Sequence, residues 1–95
     1  MKKPLKWPLN FDNKGIAEQR VPQGSDILCI QVVRNQICLY TLSDLTKEAS
    51  QVIKLKLLMT GEDTEDTLLN HWTYLTTIQL SSGMIVGHVF RSNTD

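Results

Sequence analysis

A chain of 95 residues suffices for one domain with a continuous core, but not for that core plus a deep enclosed active site. Ten basic side chains balance ten acidic ones, so the formal net charge is zero, and 41% of the residues are hydrophobic. That composition excludes a disordered chain, and the charge balance argues against direct nucleic-acid binding.

No apolar run approaches the roughly 18 residues of a membrane span. The opening "MKKPLKWPLN" is positively charged, but prolines and polar residues break any apolar stretch, so it does not read as a signal peptide. The expected compartment is the cytoplasm, where two cysteines remain reduced thiols. Lys2, Lys3, Lys6, Lys14 and Arg20 outweigh Asp12 and Glu18 early in the chain, whereas Glu62, Asp63, Glu65 and Asp66 form an acidic run. A surface so polarised suits a protein partner or self-association.

In chain order, "PLKWPLNF" reads as an extended segment with Leu5, Trp7 and Leu9 on one face. Its prolines confine it to a sheet edge or a terminus. "NFDNKG" is a turn, and "IAEQRV" is a short strand ended by Pro22 and Gly24. "ILCIQVVRNQICLYTL" predicts a hairpin turning at Arg34-Asn35, since Asn tolerates positive φ. That register sets Val32 against Ile37, Ile30 against Leu39 and Leu28 against Thr41 on the core face. Gln31 then opposes Cys38, and Cys29 opposes Tyr40, on a mixed, half-covered face. The cysteines become diagonal neighbours, about 7 to 8 Å apart, too far for a disulfide without backbone movement.

"SDLTKEASQ" reads either as one or two helical turns capped by Ser43 or Thr46, or as a plain loop. "QVIKLKLLMTG" alternates, with Ile53, Leu55, Leu57 and Met59 inward and Lys54 and Lys56 outward. "EDTEDTLLNHW" fits a short helix capped by Thr64. "TYLTTIQL" and "MIVGHVF", joined by "SSG", form a closing hairpin. The sum is a single domain over residues 1–95, mostly β, with six or seven antiparallel strands in a small barrel or sandwich and at most two helical turns.

The candidate chemistry is thin. Cys29, Cys38, His71 and His88 are the soft ligands, and none has the close spacing of a structural zinc site, so no metal or other cofactor is expected. Cys29 or Cys38 with His88 is the only conceivable nucleophile–base pairing, and nothing local supports it. The Glu62–Asp66 run lacks the spacing of a calcium loop, and no Gly-rich phosphate loop exists. The chain therefore reads as a non-enzyme. "LLNHWTY" stands out because large apolar residues follow an acidic stretch outside the alternating pattern. Leu69 and Trp72 either cover an open end of the barrel or belong to an apolar patch with an acidic rim, the anatomy of a protein-binding surface.

The segments "VPQGSDILCIQV", "ICLYTLSD", "MTGE", "YLTTIQL" and "GMIVGHVF" together resemble a group of small phage and prophage proteins catalogued only as a domain of unknown function. The resemblance extends from Pro4 to Phe90. It rests on a basic first strand, a hydrophobic-Pro-x-Gly turn, a hairpin ending in Cys-Leu-aromatic, and a final His-Val-Phe strand. Members of that group often have Asn-Gly where this chain has Arg34-Asn35, and His where it has Glu62. The stretch from Asp63 to Trp72 is longer here than is usual for them.

The resemblance implies a phage or prophage protein acting in a bacterial host. With the residues above, the expected function is binding and inhibition of a host protein, such as a defence component. The expected partner-binding residues are Glu62, Asp63, Glu65, Asp66, Leu68, Trp72 and Tyr74, the acids steering toward a basic surface on the partner. Two alternatives stand beside it. One is a module that sequesters a nucleotide-like molecule through Lys54, Lys56 or Arg91. The other is a self-assembling accessory protein.

Overall fold

The computed structural model describes residues 1–93. Seven strands follow in order: β1 (Lys3–Pro8), β2 (Ile16–Val21), β3 (Asp26–Val33), β4 (Gln36–Ser43), β5 (Gln51–Met59), β6 (Trp72–Leu80) and β7 (Ile85–Ser92). A single helical turn, α1 (Leu68–His71), precedes β6. The strands form two antiparallel sheets, a three-stranded one ordered β1-β4-β3 and a four-stranded one ordered β2-β5-β7-β6. This is a sandwich and not a closed barrel. β3 and β6 line a shared cleft through Ile30–Val32 and Thr76–Gln79, but no ladder joins them.

The core lies between the sheets and follows from alternation. Leu39 from the first sheet and Val21, Leu55 and Val89 from the second are fully buried, with Ile30, Ile37, Ile53, Leu57 and Ile78 around them. At the Asp26 end the interior turns polar. Trp7 Nε1 donates to Thr41 Oγ1 at 2.8 Å, and Thr41, Ser43 and Ser25 form a chain of buried hydroxyls ending on the Pro22 carbonyl. Each group finds a partner, which is what makes burial of such groups tolerable.

Two glycines allow close approach. Gly15 has φ +77°, and a Cβ there would stand 2.5 Å from the Leu57 carbonyl oxygen, whose own amide donates to Gly15 O at 2.7 Å. Gly87 faces Leu57 and Met59, where a Cβ would meet Leu57 Cδ1 at 2.8 Å. Gly87 is therefore a packing glycine within a regular ladder and not a bulge.

The central hairpin turns at Arg34 and Asn35, with φ of 51° and 64°, the primed geometry that matches strand twist. Its register pairs Val32 with Ile37, Ile30 with Leu39, Gln31 with Cys38 and Cys29 with Tyr40, as the alternation implies. Leu28 departs from that scheme. A bulge between Ile27 and Cys29 sets Ile27 opposite Thr41 and pushes Leu28 outward, half exposed. Both cysteines are free, and Cys38 is buried while Cys29 is exposed.

Of the two readings left open for residues 44–50, the loop is the one adopted, because Asp44 Oδ1 accepts from the Thr46 amide and hydroxyl and ties the chain into a local turn. Two local expectations are corrected. The short helix begins at Leu68 after Thr67, which makes no side-chain capping bond, so Thr64 is not its cap. The last strand starts at Ile85, since Ser81, Ser82 and Gly83 all take positive φ and leave Met84 exposed in the turn.

Candidate functional site

The segment singled out by its pattern, Glu62 to Tyr74, crosses the outer face of the four-stranded sheet. β5 alternates, so Lys54, Lys56 and Leu58 point away from the core; the β7 register sets Phe90 opposite Lys56 and His88 opposite Leu58 on the same face. After Gly61 the chain leaves β5, passes the acidic stretch and lays α1 over the sheet. Leu68 from α1 is buried against Leu58 and Phe90, and Trp72 packs beside them half-buried. This second, smaller apolar cluster lies across the sheet from the main core.

Trp72 opens β6 and meets both outward lysines. The Lys54 ammonium lies 5.9 Å and the Lys56 ammonium 5.7 Å from the indole ring centroid, within cation–π range. Among the described residues neither lysine forms an ion pair. Tyr74 stands edge-on to Phe90, with ring centroids 5.8 Å apart and planes at 70°. The Tyr74 hydroxyl lies 2.6 Å from Thr77 Oγ1, which is 2.9 Å from His88 Nδ1, while His88 Nε2 lies 2.8 Å from Thr60 Oγ1. Two strands and the start of the crossover are thus tied across one imidazole.

The acidic residues gather where the chain leaves β5. Glu62 turns back to accept the Met59 amide at 3.0 Å, closing the turn around Gly61. The Glu65 carbonyl accepts the Leu68 amide at 3.1 Å and so starts α1. Asp63 and Asp66 are exposed, as are Glu62 and Glu65.

The expected site residues therefore separate into two groups. Glu62, Asp63, Glu65, Asp66 and Tyr74 present themselves to solvent, Tyr74 being 52% exposed. Leu68 does not; at 8% exposure it holds α1 to the sheet, and Trp72 shares that task. The residue that the crossover does offer is Leu69, 67% exposed on α1. Lys54 and Lys56, which the sequence offered as contacts for a nucleotide-like ligand, complete this face with Phe90 and with His88, which it offered as a base. Joining them to Trp72 needs the β5–β7–β6 order, which no local pattern contains.

The topology also separates the one pairing considered for nucleophilic chemistry. Cys29 and Cys38 lie on β3 and β4 of the three-stranded sheet, whereas His88 lies on the outer face of the other sheet, with the core between them. Among the described residues no three His, Cys, Asp or Glu side chains come together as a metal-holding group. No helix of the described residues is long and apolar enough to cross a membrane.

A second feature lies at one end of the sandwich. Two clefts of ≈480 Å³ each meet there, one lined by Asp26–Gln31, Leu75 and Thr76, the other by Gln23–Asp26 and Ser50–Val52. Asp26 and Arg91 line both. Gln51 shapes this end, its Oε1 accepting the amides of Gly24 and Ser25 at 2.9 and 3.1 Å.

No curated protein and no solved structure matches this chain. A family model described as a domain of unknown function, DUF7352, matches residues 1–95 in full, and the chain belongs to that family.

Proposed function

We propose that this protein is a non-enzymatic binding module of phage or prophage origin that docks on a host protein and inhibits it. The docking surface is the outer face of the four-stranded sheet around α1. The observation that supports the reading is the pairing of two exposed apolar anchors, Leu69 and Tyr74, with four exposed carboxylates on the crossover. A large apolar residue beside a charged rim is the anatomy of a protein interface. The acids would steer the module toward a basic surface on its partner.

The test is affinity capture from bacterial lysate with wild type and with Leu69→Ala/Tyr74→Ala. A stoichiometric host protein retained by wild type and lost by the variant, at an unchanged melting temperature, is the expected result. If wild type retains nothing, or the variant retains as much, the reading fails. Trp72→Ala is the poorer probe, because that side chain is part of the packing under α1.

The end clefts support a second reading, a module that sequesters a small nucleotide-like anion near Arg91. Their size is within the range of ligand pockets, roughly 300 to 1,000 Å³. A nucleotide panel in a thermal-shift assay separates the two readings. A ligand-dependent rise lost in Arg91→Gln would favour sequestration, and no shift at millimolar ligand would count against it.

A further inference from the structure

The outer face of the four-stranded sheet is electrically polarised along β5. At the Lys54 end stand Lys54 and Lys56, with Arg20 on the neighbouring strand β2, Glu18 opposite Lys54, and the turn bearing Asp12 and Lys14 within electrostatic reach of Lys56, so the basic side chains outnumber the acids there. Past the Thr60 end the crossover carries Glu62, Asp63, Glu65 and Asp66, all exposed, with Glu62 bonded back to Met59 and Glu65 one turn before Leu68. Among the described residues neither group forms an ion pair within the chain. α1 lies between the two ends, with Leu68 turned down onto Leu58 and Leu69 left exposed.

A face that is basic at one end, apolar in the middle and acidic at the other is complementary to itself. A twofold axis through the middle sets each basic end on the acidic end of the second copy, and an isologous contact of this kind uses one patch twice. Zero formal net charge removes the long-range repulsion that would oppose it.

We propose that this face is a self-complementary dimer interface, in which Lys54 and Lys56 of one copy meet Asp63, Glu65 and Asp66 of a second, with Leu69 at the twofold centre. The inference rests on reading this face as a protein-binding surface, and it names a second copy of the chain as an occupant. Docking of another protein on the same face then competes with dimerisation.

Sedimentation of the full chain at low and high salt tests it through a charge swap. Wild type is expected to dimerise at low salt and to weaken as salt rises, since the pairs are at the surface. Lys54→Glu/Lys56→Glu and Asp63→Lys/Glu65→Lys/Asp66→Lys should each weaken self-association by roughly 100-fold or more, because like charges then face one another. Glu62 is left in place because it closes the turn on Met59. Mixing the two variants should restore a 1:1 dimer, and circular dichroism confirms that each is folded. A wild type that stays monomeric at low salt up to about millimolar concentration overturns the proposal. So does a dimer indifferent to both reversals, or a mixture that fails to pair. A monomeric wild type that still captures a host protein through Leu69 and Tyr74 overturns this inference alone and leaves the proposed function standing.

Discussion

Asp12 holds a turn with one oxygen. Its Oδ1 accepts the amides of Lys14 and Ile16, both at 2.9 Å, and both bonds are stronger to the ionised carboxylate than to the neutral acid. The backbone amide of Ile16 first, and that of Lys14 next, hold its pKa below the ordinary carboxylate value. Asp44 is lowered in the same direction, first by the Thr46 hydroxyl and then by the Thr46 amide. A folded-state pKa below the unfolded one contributes stability that is present above the unfolded value and lost as pH falls through the folded one. Stability should therefore decline on acidification below about pH 4. Asp12→Asn keeps an acceptor but cannot titrate, so its urea midpoint should fall less steeply with acidification than that of wild type. An identical slope would show that the turn contributes nothing to the pH dependence. Cysteine chemistry also belongs at this scale. Cys38 is buried and Cys29 exposed, because β4 is the central strand of its sheet, with Pro8 and Gln31 on either side of Cys38, whereas Cys29 lies on the edge strand β3 with a neighbour on one side only.

At the level of elements, α1 is too short to persist by its own hydrogen bonds. It has four residues, lacks a side-chain N-cap and carries no acid in its first turn, so packing must hold it. That packing is Leu68 on Leu58 and Phe90, closed by Trp72 beneath the lysine ammoniums. Replacing Trp72 by Ala should cost about 2 kcal/mol, below the full burial range because the ring is half-exposed. Urea unfolding measures the cost, and amide exchange at Leu69 and Asn70 should rise as α1 loosens. A neutral substitution would mean that the crossover is not anchored there. The same elements show what local pattern could reveal. The Arg34-Asn35 turn, the alternation of β5 and the closing hairpin were legible because turn chemistry and period two are properties of adjacent residues. The start of α1 was not, since "TEDT" offers several capping residues and tertiary contact with Leu58 selects among them.

For the whole molecule, most pairings join strands far apart in the chain. β1 pairs with β4, β2 with β5, and β5 with β7 across the crossover; only β3–β4 and β6–β7 are local hairpins. Loop closure precedes the contacts that reward it, so refolding is expected in roughly milliseconds to seconds and not in microseconds. Stopped-flow fluorescence of Trp7 and Trp72 checks this, and a microsecond phase carrying the full amplitude would contradict it.

The sequence by itself determined the class of fold, the hairpin registers away from bulges, the diagonal placement of the two cysteines and the crossover as the unusual segment. Each of these is a matter of neighbours along the chain, decided by turn chemistry, side-chain alternation and charge. Only the tertiary structure decided that Leu68 is buried and Leu69 exposed, that Leu28 leaves the core face at a bulge, and that Trp72 lies under Lys54 and Lys56. Those outcomes depend on which strands become neighbours, because a side chain's surroundings on a sheet are set by the strands beside it as much as by its own.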